Sequence, residues 1–433
     1  MPRLNAYVRN PRFLANTTVR PLYLVMPTNA GHVQDAVRCG RRHNMSIRVR
    51  SGGHDYEGLS YRSVNASDFA VLDLSELRTV LVDSQTSTAW VESGATLGEL
   101  YYAIGNVSDV LGFPDGVCPT VGVGGHFSGG GFGTLMRKHG LAVDNVVDAE
   151  LVVANGTVLN RTTMGEDVFW AIRGGGGSFG VVLKWQVGLV TIPATVSVFK
   201  EAVSDSEGAV DKVTRWQKVA LALPGELYLR VRVQEKKADF RASFLGGCDD
   251  LRRVMNRSLG LNGADCKEMT WVESVAYIWL SSNATREDLL SRNTSKSESP
   301  NSFKATTDYM GNVSEDATPF PHRNGVLYSM QLYNYWRVDS PRRSKWVRDM
   351  HQFMATNVSS NPMEAYFGCR DLDLGDDWGR KYFKGNYQRL TEVKAKQGKP
   401  VHGHPSPETR RARAPLSHPK LSLKSRIKPE MYI

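Results

Sequence analysis

The chain has 433 residues, 41% hydrophobic and 23% charged, with a formal net charge of +10. That length predicts two or three domains rather than one small core, and the absence of any run of 18 or more apolar residues excludes a membrane-spanning helix. The basic balance does not point to nucleic acid. Residues 394–433 carry ten Lys/Arg against two Glu and hold six Pro, so the rest of the chain is close to neutral. A segment of that composition cannot build a core and predicts a disordered basic tail over 394–433. It also lacks the interleaved aromatic residues of a nucleic-acid platform.

In chain order, residues 1–19 lack the apolar stretch of a secretory signal peptide. Thr28 predicts the cap of a helix reaching Asn44, with Val33, Ala36, Val37 and Gly40 on one face. Ile47 and Val49 alternate into a strand ending at Ser51-Gly52-Gly53; Phe69–Leu74 and Ala89–Glu92 are further strands, and Thr96 caps the next helix. Val146–Leu159 reads as a hairpin turning at Asn155-Gly156 in a type I′ turn. Val181, Leu183, Trp185, Val187 and Leu189 alternate in a long strand ending at Pro193.

Beyond that point Val210, Val213, Trp216, Val219, Ala220 and Leu223 share one helix face. Leu227, Leu229, Val231 and Val233 alternate in a strand. Over Val326–Trp336 the two strand faces differ: Val326, Tyr328, Met330 and Leu332 on one, Ser329, Gln331, Tyr333 and Tyr335 on the other. Trp346, Val347, Met350, Phe353 and Met354 mark a following helix. No internal repeat is present. The fold class is α+β, a nucleotide-sized first domain followed by an antiparallel sheet covered by helices.

The five cysteines, Cys39, Cys118, Cys248, Cys266 and Cys369, include no CxxC, so no zinc or other metal site is expected, and an odd number leaves at least one thiol unpaired. Eleven N-x-S/T sequons point to a glycoprotein outside the cytosol.

Chemistry concentrates in three glycine-rich segments: RSGGHDYEG (50–58), GFPDGVCPTVGVGGHFSGGGFG (112–133) and RGGGGSFG (173–180). Glycines let backbone N–H groups converge on an anion, and three such loops suit an extended pyrophosphate-bearing ligand. None is a Walker A motif or a helix-opening GxGxxG. His54 and Cys118, both beside these glycines, are nucleophiles able to attack an activated flavin carbon.

The first two segments together resemble the berberine bridge enzyme-like family of plant FAD-linked oxidases, within the vanillyl-alcohol-oxidase-type flavoproteins that share the PCMH-type FAD-binding fold. The resemblance runs from about Thr17 to Leu390 and includes CKEMTWVESV (266–275), ATPFPHR (317–323), RDLDLG (370–375) and KYFKGNYQRL (381–390). It implies a PCMH-type FAD domain over 1–195, a substrate domain over 196–365 that is shortened near 310–317, and a segment over 366–393 returning to the FAD domain.

It further implies FAD held bicovalently, by His54 at the 8α-methyl and Cys118 at C6. Arg50, Ser51, Gly52, Gly53, Asp55, Thr120, Val121, Gly122, Gly125, Gly131, Gly175, Gly180 and Val181 are expected in the cofactor site. Tyr56, His126 and Gln331 take catalytic positions, and Val121 stands where access of dioxygen is gated. The implied reaction is an oxidase reaction: hydride moves from a C–H of a small alcohol, sugar, phenylpropanoid or alkaloid to the flavin, with O2 as acceptor giving H2O2. The alternative is a truncated or catalytically silent FAD-binding relative. Partners are then a small substrate and O2, with no nucleic acid; the protein is expected to be monomeric, and extracellular or in the cell wall.

Departures from the family pattern stand at Phe132 and Cys369, where many relatives have tyrosine, and at Ser329, where a lysine or other polar residue is common. The family's Asp-Pro-x-x-x-Phe motif is absent after Lys396, and Cys39 lacks its implied disulfide partner.

Overall fold

A computed structural model describes residues 8–64, 68–263, 265–292, 302–311, 318–322, 326–336, 341–354, 364–397 and 428–432. The sequons at Asn65, Asn293, Asn312 and Asn357, and the shortened stretch over 312–317, lie outside the described residues.

Three short strands open the fold: β1 (Tyr23–Val25), β2 (Ser46–Arg50) and β3 (Phe69–Asp73) form a parallel sheet in the order β1-β3-β2. Parallel pairing buries both faces, and all five residues of β3 are buried. The crossover helix Ala30–Arg42 packs Val33 and Val37 onto Ile47 and Leu72. Its cap is Asn29, whose side chain accepts from His32 N, one residue beyond the expected Thr28.

The strands that follow are β4 (Val80–Asp83), β5 (Thr88–Glu92), β6 (Leu111–Gly112), β7 (Val146–Val152), β8 (Val158–Leu159), β9 (Val181–Gly188) and β10 (Val190–Thr191). Five of them build the antiparallel sheet β4-β5-β9-β7-β8, and β10 pairs with β6. In β9 every second side chain is buried, with Trp185 at 0% exposure and its indole N–H donating to Ser93 Oγ at 3.1 Å. The helix Leu97–Val107 carries the full capping box of Thr96 and Glu99.

The Asn155-Gly156 turn differs from a type I′ turn, which needs positive φ at both central residues. Gly156 has φ +84°, Asn155 is not left-handed, and the Asn155 carboxamide accepts from Thr157 N at 2.8 Å. The turn is therefore a longer loop closed by an Asx contact.

The second sheet-and-helix layer comprises β11 (Val196–Ser204), β12 (Leu227–Gln234), β13 (Lys237–Phe244), β14 (Lys267–Met269), β15 (Ser302–Gly311), β16 (Val326–Trp336) and β17 (Lys428–Tyr432), in the order β14-β11-β13-β12-β17-β16-β15. Helices Ala209–Val219 and Cys248–Leu259 cover one face: Trp216, Leu251 and Met255 pack on Leu229, Val231, Phe240, Met330 and Leu332. Val210, expected on the inner helix face, is 68% exposed, and Phe353, one of the residues marking the later helix, is 61% exposed. Both sit at helix ends, where the apolar stripe no longer faces the sheet. Cys248 and Cys266 form a disulfide.

The tail departs from expectation at both ends. The helix Asn386–Gln397 runs past Lys394, with Lys394 Nζ donating to Ser178 O. Lys428–Tyr432 is not loose but is inserted as β17 between β12 and β16. Backbone pairing on both sides stabilises a segment whose composition alone predicts disorder.

Candidate functional site

Glycine sets the geometry of the site where two loops touch. A Cβ on Gly52 would meet Gly122 N at 2.3 Å, and one on Gly122 would meet Gly52 N and Ser51 Oγ at 2.1 Å. Only glycine at both positions lets the loop after β2 lie against the one before the helix Val123–Ser128. Ser51 Oγ donates to Ser93 O at 2.5 Å and fastens the pair to the end of β5.

Along these loops runs a cavity of about 220 Å³ that opens to solvent. Of the expected cofactor residues, Ser51, Gly52, Gly53, His54, Asp55, Val121, Gly122, Gly125, Gly180 and Val181 line it, and so does His126. Sequence reasoning missed Ser93, Gly176, Gly177, Ser178 and Arg370 in the wall. The glycines and Ser178 lie inside the RGGGGSFG motif and Arg370 opens RDLDLG, so both signals were present.

The remaining expected residues sit elsewhere. Arg50 does not line the cavity: it is 1% exposed and ion-paired with Asp73 on β3, because an unpaired buried charge is far costlier than a paired one. Gly175 packs on Ala171 O and Leu390, and Gly131 (φ +72°) on Ala142 and Asp115, so both serve close packing and the turn.

His54 and Cys118 converge on one hydroxyl. His54 Nε2 is 3.0 Å and Cys118 Sγ 3.5 Å from Thr120 Oγ1. Burial, reinforced by the Arg9 charge, holds the His54 imidazole well below its ordinary range. It is therefore neutral near pH 7. His126 Nε2 stands 2.8 Å from Oδ1 of the buried Asp115 but makes no hydrogen bond among the described residues. Asp115 was not anticipated, although it lies three residues before Cys118 in the same motif.

Two residues beyond His54, Tyr56 leaves the cavity loop to meet β16. Its hydroxyl is 2.6 Å from Tyr333 Oη and accepts from Gln331 Nε2 at 2.8 Å. Gln331 Nε2 also donates to Cys369 Sγ at 3.0 Å. Burial pushes the Cys369 thiol up to about 12, against the opposing hydrogen bonds of Tyr56 and Gln331, so it stays protonated. Phe303, Tyr333 and Tyr335 form an aromatic wall beside Tyr56, with Tyr333 and Tyr335 stacked at 5.6 Å.

Beneath this wall the buried Lys304 ammonium reaches Glu57 Oε1 at 2.6 Å, Asp371 Oδ1, and Asp373 Oδ2 at 3.0 Å. Glu57 also pairs with Arg12 at 2.6 Å. One ionic cluster thus joins the N-terminal segment, the His54 loop, β15 and the 370–375 segment.

The residues fit FAD on two counts. Cβ atoms at Gly125 and Gly177 would point into open space, leaving room where a ligand backbone can approach. Ser178 Oγ is buried and makes no hydrogen bond among the described residues, a donor left for a ligand oxygen.

An antiparallel-plus-parallel frame with a glycine-lined nucleotide cavity defines an FAD-linked oxidoreductase, and the comparisons agree. Residues 21–162 match the family described as FAD binding domain and residues 365–397 the one described as Berberine and berberine like. Berberine bridge enzyme-like Cyn d 4 of Cynodon dactylon is 48% identical, covering 90% of this chain and 84% of the relative. Monolignol oxidoreductase AtBBE-like 13 of Arabidopsis thaliana is 40% identical over 91% and 84%. Among solved structures, Bermuda grass isoallergen BG60 superposes with a TM-score of 0.88 at 46% identity, over 93% and 94% of the two chains. Wild-type Phl p 4.0202, described as a glucose dehydrogenase, gives 0.86 at 42% over 92% and 94%. This chain belongs to the berberine bridge enzyme-like family and binds FAD as an FAD-linked oxidoreductase.

Proposed function

We propose that the chain is an oxidase for small hydroxylated ring compounds, sugars or phenylpropanoid alcohols, with FAD tethered at His54 and Cys118 and O2 as electron acceptor. The observation that carries this reading is the convergence of His54 and Cys118 on Thr120, next to a hydroxyl-and-amide cluster on β16. When bound, the flavin supplies a two-electron acceptor for hydride from a C–H and passes the electrons to dioxygen.

The chain's own residues do the rest. The glycine loops at 52–53, 122–125 and 176–177 offer backbone donors to the pyrophosphate. His126, beside Asp115, supplies a donor at the cavity wall. The wall of Phe303, Tyr333 and Tyr335 suits stacking of a flat or pyranose ring, while Tyr56 and Gln331 orient its hydroxyl. Valine at 121 supports the oxidase over the dehydrogenase reading: an isoleucine-to-valine variant of Phl p 4 is described as a glucose oxidase, whereas the wild type is described as a dehydrogenase. The relatives described as monolignol oxidoreductase and glucose dehydrogenase favour alcohol substrates of these two kinds. We also take the polypeptide to divide at about 195, 365 and 393.

The test is to express the chain, isolate the yellow protein, and measure peroxide release in air with cinnamyl alcohols and with glucose and cello-oligosaccharides. Peroxide from one class supports the reading and selects the substrate. A yellow protein that oxidises neither class under air or with an artificial acceptor returns it to a silent FAD-binding relative.

A further inference from the structure

We propose that Tyr56 and Tyr333 are a catalytic pair, in which Tyr56 takes the hydroxyl proton of the alcohol substrate and Tyr333 holds its oxygen ready as the acceptor. The proposal rests on the oxidase reading above and names the proton acceptor that reading leaves open.

The geometry brings one fixed donor and one hydroxyl able to donate to a single phenolic oxygen. Tyr56 Oη receives Gln331 Nε2–H at 2.8 Å and lies 2.6 Å from Tyr333 Oη. Gln331 and Tyr333 are two apart on β16 and so share a face, while Met330 and Leu332 are turned into the helix-covered core. With Gln331 donating and Tyr333 able to turn its O–H toward the same oxygen, the anion of Tyr56 is favoured over its neutral form. Tyr333 is half-buried and gives the proton a way out to water.

Other acceptors near Tyr56 are disqualified by their surroundings. Asp55 faces Arg370 at 3.5 Å and takes Glu57 N and Leu59 N. Glu57 is paired with Arg12, Arg62 and Lys304, and Asp371 and Asp373 with Lys304. Arg9 donates to Gly52 O at 3.3 Å. His54 is committed to Thr120. Cys369 keeps its proton near neutral pH, and Phe132, packed on Tyr366 at 4.8 Å, has none to exchange.

The step balances simply. Tyr56 first releases its proton to water past Tyr333. The substrate O–H bond then breaks and that proton forms a new O–H bond on Tyr56. The carbinol carbon loses its C–H electron pair as hydride to the flavin acceptor, and the C–O bond becomes C=O.

The test uses the flavin-loaded protein and its Tyr333→Phe, Tyr56→Phe and Gln331→Met variants, with retained covalent flavin and thermal midpoint as folding controls. Tyrosinate absorbance without substrate should show one tyrosine in the wild type ionising at least one pH unit below the ordinary ~10. It should be absent in Tyr56→Phe and move up by about one unit in Tyr333→Phe and Gln331→Met, the loss of one charge-assisted hydrogen bond. Anaerobic flavin bleaching by the alcohol should shift its acid limb by the same amount. It should also slow about 100-fold or more in Tyr56→Phe. A wild type with no early-ionising tyrosine, or a Tyr333→Phe protein with unchanged titration, overturns the pair. If the titration shifts as stated but no alcohol bleaches the flavin, the oxidase reading fails, and the catalytic role falls with it.

Discussion

His54 Nε2 and Thr120 Oγ1 lie 3.0 Å apart, and the same hydroxyl is 3.5 Å from Cys118 Sγ. One threonine thus links the two loops that carry the candidate tethers. If both tethers form, His54→Ala or Cys118→Ala alone keeps yellow colour in the acid-precipitated pellet, and the double substitution releases it to the supernatant. Thr120→Val removes the shared hydroxyl without changing side-chain size and should lower the covalently held fraction. Complete release of FAD from the unsubstituted, folded protein is the result that rules out both bonds.

Val121 lines the cavity, with its backbone N–H on Cys118 O at 3.2 Å. A larger side chain there narrows the approach to the ring. Val121→Leu should slow reoxidation of the reduced protein in air by about tenfold, an added barrier of roughly 1.4 kcal/mol. Stopped-flow recovery of flavin absorbance reads it directly, and equal rates remove Val121 from the argument.

A buried histidine predicts the acid limb of stability. His322 Nδ1 is 2.8 Å from Glu364 Oε2, Lys384 binds the other carboxylate oxygen at 2.6 Å, and the imidazole stacks on Tyr309 at 4.1 Å. Burial lowers His322 below its ordinary range despite Glu364. Burial raises Glu364, but His322 and Lys384 outweigh it and the net direction is down. Both groups therefore bind protons more readily when unfolded, so stability is present above their unfolded values and is lost as pH falls. The window opens at about 6.5 for the histidine and about 4.3 for the glutamate. His322→Phe keeps the stacking surface and removes the first part. Its thermal midpoint should fall less between pH 7 and 5 than that of the unsubstituted protein; parallel curves would refute this.

Local periodicity made much of the fold readable. The alternation in β9, the Thr96 capping box and the opposed faces of β16 each follow from side chains within a few residues of one another. The glycine loops were visible as composition, but the contact that explains them, Gly52 on Gly122, joins positions seventy apart. The same limit hid Lys304. Its partners Glu57 and Asp371 are separated from it by 247 and 67 residues, and a lone lysine in a strand carries no local sign of burial. Arg50 shows the converse. It adjoins the cofactor motif in sequence, yet it alternates away from the cavity onto Asp73.

The most consequential misreading concerns β17. The substrate domain reads as short of covering structure near 310–317, and the basic C-terminal segment as disordered. In the structure Lys428–Tyr432 takes the sheet position between β12 and β16. Arg230, Val231 and Arg232 pair with Tyr432, Met431 and Glu430, and Ser329 through Tyr333 pair with Tyr432 through Lys428. Without it, two long strands each present an unsatisfied backbone edge, a ready site for aggregation. With net contributions of about 1 kcal/mol per backbone hydrogen bond, removing residues 428–433 should destabilise the sheet by several kcal/mol. Because β16 also carries Gln331 and Tyr333, the damage should reach the site. The truncated protein is expected to show a lower thermal midpoint, less soluble yield and weaker substrate-driven flavin bleaching, while keeping whatever covalent flavin the full-length protein carries. Pro429→Ala leaves the backbone pairing in place and serves as the control. A truncated protein with unchanged midpoint and solubility would mean that β12 and β16 do not depend on the C-terminal strand.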